Sequence, residues 1–305
     1  MEKQPNAVIA AKPSKTANTA QAPMKAFKQR SEKRTLLSNG KGTRKRHWTP
    51  NSRSNWTDYI KAEKALDILQ AAAHAHTIGT PLNYQADIHF ECGNLNDLYA
   101  PQDAIGAWTK AMGQWLALRG VQATFIWFRE HVTGTGAHVH VLLHIPPEHR
   151  KDFLKLARRN WLEIAHMSAA NRAVIKMQKL GPRDYPLRQS TEKHTTYFNQ
   201  LIGSLRYRLK GIDPDQALPK ITGSNHPVAE LLGIDTEDNE PIYGRRVSQS
   251  QNISKGARDR YAAIMGEQPS KAMSELLTRT PKLLSALANS KASRQGQANS
   301  PIFAI

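Results

Sequence analysis

The apolar positions change period along the chain, and the changes mark out the elements. Tyr59, Ala62, Ala65, Leu66, Leu69 and Ala73 recur at helical spacing. They predict a helix from Trp56 to about His76, started by Thr57 and Asp58 and stopped by Gly79-Thr80-Pro81. Leu82 to Cys92 then alternates, with Tyr84, Ala86, Ile88 and Phe90 on one face, and reads as a strand. A second helix spans Pro101 to Leu118, with Ile105, Trp108, Met112, Trp115 and Leu116 on one side; Gly120 ends it. Ala123–Val132 and Ala137–Ile145 form a strand pair around Thr133-Gly134-Thr135-Gly136. Pro146 and Pro147 open a helix to about His166. Ala173–Gln178 is a strand and Thr195–Lys210 a helix ended by Gly211. The order β-α-β-β-α-β-α predicts an α+β fold. Its sheet is antiparallel, with about five strands, the Ala137–Ile145 strand central and helices flanking it. Residues 212–264 read as irregular, with one short helix within 270–290 and disorder beyond.

Charge adds a partner to this picture. Lys and Arg number 43 against 25 Asp and Glu, a formal net charge of +18. A basic surface attracts polyanions and releases their counterions, so nucleic acid is the expected partner. Residues 1–60 hold 13 Lys or Arg against 3 acidic residues and few large apolar groups. Such a segment buries too little surface to order itself. It reads as a flexible arm for phosphate contact, densest at Arg44, Lys45 and Arg46. Residues 1–55 are thus an arm, 56–212 the folded domain and 213–305 a partly disordered extension. The single cysteine, Cys92, excludes an intramolecular disulfide and a cysteine zinc site. A reducing cytoplasm fits, since no signal peptide and no apolar run of about 18 residues is present.

The segment Phe125–His144 carries candidate chemistry. His138 and His140 are two apart on one strand, so both imidazoles leave the same face, about 6.6 Å apart at ~3.3 Å rise per residue. Glu130 sits on the preceding strand. A three-residue loop, Thr133-Gly134-Thr135, pairs Glu130 with His138 and brings all three to one spot. A two-residue loop pairs Glu130 with Val139 and turns the carboxylate away. His89 and Glu91 on the first strand are then the substitutes for the third ligand. One carboxylate and two imidazoles suit Mg²⁺ or Mn²⁺. His144 lies too far along the strand to join them, and His131 faces the other way.

The second candidate is Leu205-Arg206-Tyr207-Arg208-Leu209-Lys210. Phe198, Leu201, Ile202, Leu205 and Leu209 form an apolar stripe, and Tyr207 lies about 180° from Phe198 at ~100° per residue, so the core does not need it. A phenol holds its proton at neutral pH. Lys210, three residues on, is placed to favour the phenolate. Arg206 and Arg208 beside it are candidate DNA contacts. Tyr197 lacks a lysine at that spacing and ranks second.

These residues resemble the HUH endonucleases. His138-Val139-His140 is similar to their His-hydrophobe-His motif, and Tyr207-Arg208-Leu209-Lys210 to their Tyr-x-x-Lys motif. The strand Ala86–Phe90 stands where the family has its first motif. Glu130 precedes His138 by eight residues, as the carboxylate ligand does in several replication initiators. Histidines before a single tyrosine resembles the rolling-circle initiators of plasmids and small viruses, and the match covers about residues 82–212. The resemblance implies nicking of single-stranded DNA at an origin, with Tyr207 left on the 5′ phosphate and a free 3′ hydroxyl. It implies a host helicase and polymerase as partners; no Walker A run is present, so a helicase domain within this chain is not expected. A single-strand transposase of the same superfamily, a non-catalytic DNA-binding regulator and an RNA-binding protein are the other readings.

Overall fold

A computed structural model of the chain describes residues 55–97, 100–182, 190–266 and 271–288. Arg44, Lys45 and Arg46, and the rest of the predicted arm before Asn55, lie outside them. In chain order the strands are β1 (Trp56–Thr57), β2 (Tyr84–His89), β3 (Phe125–Val132), β4 (Gly136–Leu143), β5 (Ile175–Lys179), β6 (Ile242–Tyr243) and β7 (Val247–Gln249). The helices are α1 (Ala62–Thr77), α2 (Ala100–Ala117), α3 (Arg150–Ala157), α4 (Asn160–Ile164), α5 (Thr191–Arg208), α6 (Pro219–Thr222), α7 (Val228–Leu232), α8 (Lys255–Met265) and α9 (Lys271–Thr278). Residues 281–288 are also helical. No described helix is long and apolar enough to cross a membrane.

Five strands form an α+β sheet in the order β5-β2-β4-β3-β7, each neighbour antiparallel, with the His-x-His strand β4 in the centre. Strand side chains alternate between faces, and each face builds its own core. One face sends Ala86, Ile88, Trp127, Val139 and Val141 against Ile105, Trp108 and Met112 of α2, Phe153 of α3 and Trp161 of α4. Trp108 is fully buried there; removing such a ring from water contributes roughly 1.5–3 kcal/mol. The other face sends Ile126, Phe128 and Leu142 against Ile68 and Leu69 of α1 and Phe198, Leu201 and Leu205 of α5. Along that second face β4 changes character, from Leu142 to His140 to His138, as β3 changes from Ile126 and Phe128 to Glu130. The apolar half anchors α1 and α5, and the polar half is the candidate site.

Several boundaries differ from the sequence reading. Trp56 and Thr57 do not start a helix; they pair with Tyr243 and Ile242, and α1 begins six residues later. The helix expected over 147–166 is broken into a short 3-10 turn, α3 and α4. Helix α5 starts earlier, at Thr191, where the Ser190 side chain accepts a hydrogen bond from the Lys193 N–H. The reading of 212–264 as irregular does not hold. Val247–Gln249 completes the sheet against β3, and α8 lies on α1 through a Tyr261–His74 ring contact. Leu276 of α9 and Leu283 join the core around α1 and α5. Two- and three-residue strands show no period of their own; pairing with distant chain forms them.

The β3–β4 hairpin has the three-residue loop Thr133-Gly134-Thr135, closed by the Val132–Gly136 pair. Gly136 has φ +72°, and a Cβ there would strike the Glu91 carboxylate. An alanine at Gly136 carries left-handed strain of ~1–2 kcal/mol, while the exposed Glu91 side chain can swing aside. We therefore expect Gly136→Ala to lower the thermal midpoint by several degrees, at roughly 2–4 °C per kcal/mol for a domain of this size. An unchanged melting curve by circular dichroism would show that this turn does not set the hairpin.

Candidate metal centre and tyrosine

The hairpin register places Glu130 opposite His138, and β2 adds Asp87 opposite His140 and His89 opposite His138. Paired residues share a face, so five polar side chains gather on the α5 side of the sheet. Glu130, His138 and His140 each offer one ligand atom, all within 4.8 Å of one another, and all three are buried. This is the only such group among the described residues. His89 stacks on the His138 ring at 5.4 Å, and Glu91 lies exposed in the turn after β2. Neither belongs to the group.

Each imidazole is oriented through Nδ1. His138 Nδ1 lies 3.1 Å from the Gly136 carbonyl oxygen, which can only accept, so Nδ1 carries the proton. His140 Nδ1 donates likewise to Asp87 Oδ1 at 2.6 Å. Both Nε2 atoms are thereby turned toward Glu130, whose Oε2 lies 3.3 Å from His138 Nε2 and 3.7 Å from His140 Nε2. These are ion-pair separations without hydrogen-bond geometry: both Glu130 oxygens and His140 Nε2 are buried with no hydrogen-bond partner. Orphaned buried groups cost about 1–3 kcal/mol each, more when charged. The orphaned atoms lie among the ligand atoms that Glu130, His138 and His140 bring within 4.8 Å of one another, so the cluster can hold a metal ion.

The electrostatics agree. Burial works to raise the Glu130 pKa, but His138, His140 and Lys210 outweigh it and hold the carboxyl far below the usual range. Asp87 is also held low: burial opposes, and the His140 hydrogen bond and Arg208 prevail. Burial alone would lower His140, yet Asp87 and Glu130 raise it. Burial is thus outweighed at both carboxylates, and their charged forms are favoured.

Tyr207 leaves the end of α5 beside this cluster. Its ring is 55% exposed and lies 5.9 Å from the His140 ring. Lys210 follows the last helical residue, Arg208, where α5 was expected to continue. Its Nζ is 4.7 Å from the Tyr207 ring centre, 3.4 Å from Glu130 Oε2 and 2.8 Å from Glu237 Oε2. Burial works to lower its pKa, but Glu237, Glu130 and Tyr207 raise it, so the ammonium is fixed. Tyr197, by contrast, is fully buried against His76 and Phe198 in the core.

Of the two arginines flanking Tyr207, Arg208 is buried and Arg206 half-buried, and both are engaged within the chain. Arg208 is 4% exposed, and its guanidinium reaches Gln85, Asp87 and Ser204. Arg206 donates to the carbonyls of Leu232 and Arg279, tying α5 to the C-terminal helices. Asp87 was missed from sequence. Its signal was that β2 is flanked on both sides by strands yet keeps Gln85, Asp87 and His89 on one face. The chain matches no family model, no curated protein and no solved structure.

Proposed function

We propose that this protein is an HUH-type, single-tyrosine endonuclease that nicks and rejoins single-stranded DNA, and so starts rolling-circle replication of a plasmid or phage. One observation carries the reading: an exposed tyrosine and a buried lysine stand beside a three-ligand cluster of oxygen and imidazole donors. A DNA-binding regulator has no use for this arrangement.

Tyr207 supplies the nucleophile. Its Oη attacks the scissile phosphorus, the new P–Oη bond replaces the P–O3′ bond, and the departing O3′ takes a proton to become a hydroxyl. The phenolic proton leaves to water, and Lys210 stabilises the negative charge that appears on the phenol oxygen. Glu130, His138 and His140 would hold Mg²⁺ or Mn²⁺, which when bound supplies positive charge to a non-bridging phosphate oxygen. Asp87 keeps His140 in the tautomer that offers Nε2. The phosphotyrosine bond conserves the energy of the broken linkage, so the 3′ hydroxyl can reverse the step without ATP. A host helicase and polymerase would then extend from that hydroxyl.

End-labelled single-stranded oligonucleotides tiling the DNA around the gene, incubated with Mn²⁺, test this. We expect one site to be cut, EDTA to stop the cut, and the same sequence as duplex to resist. Binding to single strands without any cut, in Mg²⁺ or Mn²⁺, would favour the regulator instead.

A further inference from the structure

The buried guanidinium of Arg208 has no role in the chemistry just described, yet it sits next in sequence to Tyr207. Its Nη2 donates to Gln85 Oε1 at 3.0 Å and lies 3.4 Å from Asp87 Oδ1. Its Nη1 donates to Ser204 Oγ at 2.6 Å, one turn back on α5, and Ser204 Oγ donates to Gln85 Oε1 at 3.2 Å. The same Asp87 oxygen accepts from His140 Nδ1 at 2.6 Å. Gln85 and Asp87 belong to β2, His140 to β4 and Arg208 to α5.

We propose that Arg208 is a positioning residue that locks the helix carrying Tyr207 to the strand carrying His140, with Asp87 as the shared contact. The inference rests on the nuclease reading. A planar fork suits the task because its donors are fixed relative to one another; it can hold a carboxylate on one side and an amide or hydroxyl on the other. Asp87 needs such a partner. A carboxylate that orients a ligating imidazole sets the direction of its free nitrogen, and loss of such a contact commonly weakens metal binding ten- to hundredfold. Arg208 fixes that carboxylate, and through Ser204 it fixes the last turn of α5. Core packing of Leu201, Leu205 and Leu209 holds α5 on the sheet, but Tyr207 itself is more than half exposed, and the Arg208 network ties the turn that carries it to the strand behind the pocket.

The test is a double-mutant cycle on the full chain, with Asp87→Asn, Arg208→Met and the pair. Mn²⁺ affinity is read by calorimetry without DNA, and nicking is read on the oligonucleotide that the wild type cuts. We expect each single variant to weaken Mn²⁺ about tenfold or more, and the pair to be no weaker than the worse single, because both act through one contact. Arg208→Met should in addition lower kcat at saturating Mn²⁺ and DNA, with KM for DNA within about twofold, since the nucleophile's helix is released. Should Arg208→Met fail to fold by circular dichroism, Arg208→Lys takes its place: it keeps the charge without the fork and should lose kcat as well. Wild-type Mn²⁺ affinity and kcat in the arginine variants, or fully additive losses in the pair, would overturn the positioning role. Wild-type protein that neither binds Mn²⁺ nor nicks would contradict the nuclease reading itself.

Discussion

We expect Tyr207→Phe to leave single-stranded DNA bound and uncut. The substitution removes one oxygen from a ring that is 55% exposed, so the packing around it does not change. Surface changes of this kind usually move stability by less than about 0.5 kcal/mol. The chemistry loses its nucleophile, and no neighbour can replace it. Tyr197 is sealed in the core against His76 and Phe198, and Lys210 is engaged by Glu130 and Glu237. Removing a covalent nucleophile typically costs about four orders of magnitude in rate or more. Nicking by Tyr207→Phe should therefore fall to background at every metal concentration, with DNA affinity within about twofold of wild type by fluorescence anisotropy. Residual cutting well above background would remove Tyr207 from the central role.

His140→Ala should fail for a different reason, and the difference is measurable. The cluster keeps Glu130 and His138 but loses the ligand that Asp87 orients. Mn²⁺ affinity should fall by more than about a hundredfold, beyond the usual effect of losing an orienting contact. The nucleophile is intact, so raised Mn²⁺ should restore some nicking by mass action. Calorimetric titration of Mn²⁺ beside a nicking assay at increasing Mn²⁺ separates the two variants. Equal Mn²⁺ affinity in His140→Ala and wild type would mean that the three buried side chains do not form the metal site.

The parts legible in the sequence are those with a strong local period or a hard steric demand. The alternation in β2 and β4 and the apolar stripe of α5 gave the sheet and its packed helix. Gly134 and Gly136 both take positive φ at the three-residue loop, and that loop decides whether Glu130 meets His138 or turns away. What stayed hidden depends on distant chain. Strand β7 is three residues long and exists by pairing with β3; Trp56 and Thr57 are extended because Tyr243 and Ile242 lie beside them. The same holds within the site. Arg208 reads as a surface cation from helix spacing, since a lone arginine beside an exposed tyrosine carries no sign of burial. Its burial follows from Asp87 on a strand some 120 residues earlier. Arg206 is likewise taken up by the carbonyls of Leu232, in the stretch read as irregular, and of Arg279, in the stretch read as holding one short helix.

A covalent bond between Tyr207 and DNA can be located directly. Wild-type protein is reacted with the cleavable oligonucleotide and Mn²⁺, the DNA is trimmed with nuclease, and the protein is digested and sequenced by mass spectrometry. We expect a nucleotide attached through its 5′ phosphate to Tyr207 and to no other residue. A nucleotide on any other side chain, or cut DNA with no protein attached at all, would contradict Tyr207 as the nucleophile.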